Sequence, residues 1–213
     1  MPLDSQTVQD FAVALGLATL SGYSLYATAF LTGLAVRLGW LPDLTHDHLL
    51  NALGETPSLV FFGCVAVVEF LTGKVRFLGS AWDLLHTLIR PVGAAILAVH
   101  AWQHHGQASE LLVALLGGTA AFGMHGLKTA GNLTASHVPV PFANAVVSGT
   151  GSLMYLAGFI LLLAHAVLAV CVFGALALLG LWLMPKAWQR LRPVVRFLWD
   201  KGASSRQHGA LGR

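Results

Sequence analysis

Charge is what this chain has least of. Asp, Glu, Lys and Arg make up 10% of its 213 residues, where a soluble domain carries roughly 25%. With 56% hydrophobic residues and a mean hydropathy of +0.71, that shortage excludes an ordinary soluble domain and implies an integral membrane protein. The alternating ten-residue segments of an outer-membrane barrel are also missing, so the spans are expected to be α-helices that make all their backbone bonds internally. Cysteine is almost absent. Cys64 and Cys171 fall inside apolar runs, where a thiol behaves as a small hydrophobe, and no CxxC or Cys/His spacing points to a zinc site. No cation precedes the first apolar run, only Asp4 and Asp10, which is wrong for a secretory signal peptide and leaves the first span in place.

What is present is a series of helix-length apolar runs. Six passes can be read: about Val8 to Trp40, Pro57 to Leu71, Ile89 to Trp102, Leu111 to Ala135, Gly151 to Ala164 and Ala166 to Met184. The first is overlong and carries Ser21-Gly22 near its middle, the mark of a broken helix. The last two are continuous in hydropathy. A turn near His165 gives six passes, and one long tilted helix there gives five. The expected fold is therefore an all-α membrane bundle over residues 1–184, followed by a tail over 185–213. Seven of the twelve cations lie in that tail (Lys186, Arg190, Arg192, Arg196, Lys201, Arg206, Arg213), interleaved with Trp188, Leu191, Leu198 and Trp199. The positive-inside rule puts such a tail in the cytoplasm, with its apolar residues on the anionic leaflet, and makes nucleic acid a poor reading of the same charges. Six passes with both ends inside also put Lys74 and Arg76 in the cytoplasm and the acidic loop Asp43 to Glu55 outside.

Two register matches suggest that the halves, about 8–104 and 111–184, are related. Leu17 to Gly33 reads against Thr119 to Ala135, with Leu25/Leu127, Leu31/Leu133 and Thr32/Thr134 identical. Thr56-Pro57-Ser58-Leu59 answers Thr150-Gly151-Ser152-Leu153, each resembling an N-cap that opens a helix. The implied architecture is a three-plus-three inverted repeat with broken or re-entrant helices.

The few ionisable groups then become the candidates for chemistry, because charge beside hydrocarbon has to pair or face a wet cavity. On a helix, Asp83, His86, Thr87 and Arg90 stand at i, i+3, i+4 and i+7 and share one face. Asp83 would hold the His86 ring, and Arg90 would grip a carboxylate or phosphate bidentately. Glu69, near the end of the second pass, has Lys74, Arg76 or Lys128 as expected partners; a membrane carboxylate with few partners is suited to proton or cation coupling. In the second half His125, Lys128 and Asn132 project from one face of a small-residue helix, and Lys128 has to find Glu69, Asp83, a ligand or water. Pro139-Val140-Pro141 and Asn144 lead into Ser148-Gly149-Thr150-Gly151-Ser152, which without a phosphate-loop signature reads first as a flexible hairpin with a good N-cap; free amides at a helix start there would receive an anion. His46-Asp47-His48 reads as a solvated loop, and no complete metal set or cofactor motif is found.

These residues, Glu69, Trp82-Asp83, His86-Thr87, Arg90-Pro91, His125, Lys128, Pro139-x-Pro141, Asn144 and Ser148, resemble the bacterial membrane family catalogued as domain of unknown function 4126, from about Ala14 to about Leu168. The resemblance implies a polytopic inner-membrane protein. Gly73, Arg76 and Gly151-Ser152 depart from the family pattern, which has an acid, a proline and an acidic pair there. The expected activity is binding or movement of an anionic small molecule or lipid headgroup, linked to protons through Glu69, Asp83 or His86. The competing reading is a non-catalytic scaffold or partner-binding subunit, whose Gly117, Gly118, Gly123 and Gly126 face admits a neighbouring helix, including one from a second copy. An enzyme is disfavoured, since no serine or cysteine nucleophile stands at a recognisable motif.

Overall fold

The computed structural model describes residues 5–41, 44, 47–72, 76–102, 106–136 and 143–183, without the side chains of 76–85, 132–136 and 143–148. Among the described residues there are eight helices and no strands: α1 (Ser5–Tyr23), α2 (Leu25–Arg37), α3 (His48–Leu53), α4 (Thr56–Thr72), α5 (Arg76–Ala101), α6 (Gln107–Ser136), α7 (Ala143–Ala164) and α8 (Ala166–Leu183). Two stretches, Gln107–Gly131 within α6 and α8 itself, are long and apolar enough to cross a membrane. The helices α2, α4 and the Gly149–Ala164 part of α7 are shorter apolar segments, so six full-length passes are not seen among the described residues. The outward surface is greasy all the same, with Leu88 77%, Leu153 69% and Ile160 66% exposed. The interior is built largely of small residues, Ala12, Ala14, Ala18, Ala94, Ala98 and Ala121, which lets helix backbones approach closely where burial from water is not the driving force.

The overlong first run is broken, at Ser24. Its φ of −150° and ψ of 101° are extended. Its amide still reaches the Leu20 carbonyl (3.0 Å) and its own carbonyl accepts from the Thr28 amide (3.0 Å), so one residue closes α1 and opens α2. His165 does the same between α7 and α8, with distances of 2.7 and 2.9 Å. A Cβ on Gly158 would stand 3.0 Å from the Phe173 ring, which requires the chain to reverse at His165. The last apolar stretch is thus two helices.

Neighbouring pairs also fix direction at Ser24. The Phe11 ring meets Trp102 edge to face at 5.5 Å and Leu25 packs on Gly93, so α5 runs against α1. Phe30 packs on Gly63 and Arg37 donates to the Thr56 hydroxyl at 3.1 Å, so α4 runs against α2. Asp47, which caps α3 by accepting from the Leu50 amide (2.7 Å), lies 3.0 Å from the His100 ring at the end of α5. The six residues of α3 cannot bridge the bundle, so α2 must return to the end from which α1 departed. The break is therefore a reversal, and the helices alternate in direction from α1 to α8, the short α3 aside.

Several sequence expectations change as a result. The start of α1 and the end of α8 lie at opposite ends of the bundle, because the first pass folds back where a single crossing was expected. The two segments read as an inverted pair are α1–α2 and α6. Ala18 sits beside Gly117 and Gly22 beside Ala121, so α6 runs parallel to α1, and it continues unbroken through Gly126. Thr150-Gly151-Ser152 lies inside α7, where helical amides are bonded within the helix, and opens nothing. The Asp43 to Glu55 loop contains α3 and the buried Asp47, so it is more than a solvated connection. The Asp83 to Arg90 run belongs to one 26-residue helix that continues through Pro91. The small-residue face of α6 is occupied within the chain: Gly117 by Ala18 and Ala98, and Gly123 by Ala177 and Gly180. The basic tail, Lys74, Asp43, His46 and Pro139 to Pro141 lie outside the described residues.

Candidate functional site

The reversal at Ser24 sits inside the bundle, and the scarce charges gather around it. A helix end presents bare carbonyls, and a helix start presents bare amides with positive polarity. Here both ends meet at one residue. At the carbonyl end, Lys128 from α6 donates to the Tyr23 carbonyl at 2.8 Å, its ammonium 4.7 Å from the centre of the Tyr23 ring. At the amide end, the Ser24 hydroxyl makes no capping bond to α2 and donates instead to Glu69 Oε2 of α4 at 2.6 Å.

Glu69 joins the halves. Its Oε1 accepts from Arg90 Nη2 of α5 at 2.7 Å and lies 3.6 Å from Lys128 Nζ. Arg90 is wholly buried, at 0% exposure, and so large an ion in apolar surroundings persists only when its partners hold it closely. Its Nη1 donates to His125 Nδ1 of α6. A guanidinium has no lone pair to offer, so Nδ1 must be the acceptor and the proton of the neutral ring sits on Nε2, pointing at the Thr87 hydroxyl 3.4 Å away. One turn before Arg90 on α5, His86 Nε2 is 2.9 Å from the Tyr26 hydroxyl, with the rings edge to face. Beneath the reversal the Thr28 hydroxyl bonds the Ser24 carbonyl (2.7 Å) and meets the Tyr155 hydroxyl (3.0 Å), and Tyr155 stacks on Tyr23. Gly151 is needed at this point, since a Cβ there would collide with the Tyr23 hydroxyl.

A cavity of about 580 Å³ opens beside this cluster between α1, α6, α7 and α8, within the roughly 300–1,000 Å³ of ordinary ligand sites. Tyr23, Lys128, Thr150 and Gly151 stand at one end and Leu20, Leu161, Val172 and Phe173 line the other. Among the described residues no group of three or more His, Cys, Asp or Glu gathers to hold a metal.

The family described as Domain of unknown function (DUF4126) matches residues 11–186. The chain belongs to that family. No curated protein and no solved structure matches the chain. For this member of the DUF4126 family, the structure brings Glu69, Thr87, Arg90, His125 and Lys128 into one cluster, with His86 adjoining it. The side chains of Asp83, Asn132 and Asn144 lie outside the described residues. Lys128 finds Glu69, as its isolation on a small-residue helix requires. Glu69 does not have the few partners expected of it: Arg90, Lys128 and Ser24 all converge on its carboxylate. Sequence reasoning missed Tyr23, Ser24, Tyr26 and Tyr155. The Ser21-Gly22 break was the available signal for the first two, since a broken membrane helix places polar backbone where ions bind.

Proposed function

We propose that this chain is a multi-pass protein of the bacterial inner membrane that binds and moves an anionic small molecule or lipid headgroup, with Lys128 as the residue that meets the anion. The observation that carries this reading is the position of Lys128 at the polar end of a cavity, its ammonium held by the Tyr23 carbonyl and near Glu69. Arg90 and Glu69 have a different part in it. Enclosed and bonded on several sides, they form the staple that keeps the reversal in place and positions Lys128. The greasy outer surface supports the membrane setting, with α4 to α8 crossing the bilayer and the α1–α2 hairpin entering from one side. Lys74 and Arg76 in sequence flank the start of α5, at the same end of the bundle as Leu183 and the basic tail that follows it, so both cationic segments face the cytoplasm.

The test is flux in proteoliposomes carrying a fluorescent phosphatidylglycerol in both leaflets, with an impermeant reductant added outside. The expected result is quenching of inner-leaflet probe beyond that of empty vesicles, returning to the empty-vesicle level for Lys128→Gln. That change keeps a donor for the Tyr23 carbonyl while removing the charge, and circular dichroism verifies that the variant is folded. Equal quenching by Lys128→Gln and the unaltered chain would remove Lys128 from the mechanism.

A scaffold is the second reading, favoured by the dense bonding of the Arg90–Glu69 pair. It predicts no flux and a fixed partner in co-purification. Occupation of the Gly117–Gly123 face by helices of the same chain removes the surface that reading relied on.

A further inference from the structure

The cavity beside Lys128 is long as well as polar at one end. Its lining runs along α7 from Thr150 to Leu161, about 16 Å at the rise of a helix. Beyond Tyr155 the walls are hydrocarbon: Met124 from α6, Ala157 and Leu161 from α7, and Val172, Phe173 and Leu176 from α8. Leu161, on the approach to the α7–α8 reversal, lines its far end, and Gly158, which has no side chain, lets Leu20 and Phe173 pack close to α7 part-way along. A compact hydrophilic anion would leave most of this wall bare. An apolar chain bearing one anionic group at its end would fill it, with the group at Lys128 and the chain along α7.

We infer that the cavity is a binding slot for a long-chain fatty acid, with the carboxylate on Lys128 and the acyl chain between α6, α7 and α8. This rests on the reading of Lys128 as an anion-binding residue and adds the chemical class of the ligand. Lys128 Nζ already spans two oxygen acceptors, the Tyr23 carbonyl and Glu69 Oε1, and the side chain, 16% exposed, lines the cavity. A carboxylate arriving there gains a charge-assisted hydrogen bond in a place little screened by water. Glu69 disfavours anions at its own position, so the carboxylate is directed to the Tyr23 and Thr150 side of the ammonium.

The test uses the full chain in phosphatidylcholine nanodiscs and a diazirine-bearing palmitate, with cross-linked positions mapped by mass spectrometry. Labelling is expected on Met124 and Leu176, competed by plain palmitate and not by palmityl-trimethylammonium, which has the same chain and the opposite head charge. Lys128→Gln should weaken competition by palmitate roughly tenfold, the worth of one charge-assisted bond. Gly131→Phe should abolish slot labelling while leaving the fold intact, because Gly131 lines the cavity and a Cβ there meets nothing within 4 Å. Labels spread evenly over outward residues such as Leu88 and Leu153, or equal competition by the cationic amphiphile, would overturn the slot. If labels spread in this way while flux still depends on Lys128, the fatty-acid slot falls and the anion reading stands. If palmitate labels the slot equally in Lys128→Gln, both fall.

Discussion

Arg90 and Lys128 reach the same carboxylate oxygen, yet removing Glu69 affects them unequally. Arg90 is enclosed, so Glu69→Ala strands a guanidinium in apolar surroundings and should cost about 3–5 kcal/mol, read as a lowered thermal or denaturant midpoint of the purified protein. Adding Arg90→Met to that variant should restore most of the loss, because the uncompensated ion is then gone; no restoration would mean that the pair does not act as a unit. His125 makes a second residue-level case. His125→Leu takes away the acceptor for Arg90 Nη1 and should cost about 1–3 kcal/mol. His125→Gln, which can present a carbonyl oxygen in the same place, should cost less, and equal losses would show that the ring acts through its volume alone.

At the scale of the element, close approach depends on glycine at some positions and is indifferent to it at others. A side chain on Gly22 would enter the Ala121 backbone, and one on Gly180 the Gly123 carbonyl. Gly22→Leu and Gly180→Leu must therefore push α1 or α8 away from α6, with losses of about 1–3 kcal/mol or more. Gly131 and Gly174 face open space, so Gly131→Ala and Gly174→Ala should be neutral or stabilise by up to about 1 kcal/mol, since alanine orders a helix better than glycine does. Midpoints measured across the four variants would contradict the packing if the two groups moved together. The elements also show how far a pattern can be read. Apolar runs and the Ser21-Gly22 pair point to a break that falls at Ser24, a turn near His165 is one of two readings and the one the structure shows, and the i, i+3, i+7 spacing announces which face of α5 carries His86 and Arg90. A face does not announce what it meets. The pairings of Arg90 with Glu69, 21 residues away, and of Lys128 with the Tyr23 carbonyl, 105 residues away, are products of packing, and a backbone carbonyl leaves no mark in residue identity. The same limit hid α3, whose six residues are too few for a periodic signal and whose capping Asp47 looked like a loop acid.

Direction is the property of the whole molecule that hydropathy cannot supply. A run from Val8 to Trp40 has one hydropathy profile whether it crosses once or turns back, and reading a single crossing placed both ends of the protein on one side. The reversal at Ser24 inverts everything before it. The beginning of α1 and the end of α2 lie at one end of the bundle, while the end of α4, the start of α5 and the end of α8 lie at the other. With Cys64 and Cys171 replaced by alanine, single cysteines introduced at Ser5 and at Glu55 should both react with an impermeant maleimide added to intact cells. A fluorescent protein fused after Arg213 should fold and emit in the cytoplasm, where the positive-inside rule puts the tail. The single-crossing topology makes a different forecast: Glu55 labelled, Ser5 protected until the cells are opened. Protection at Ser5 would remove the hairpin, and with it the helix end at Tyr23 on which Lys128 is held.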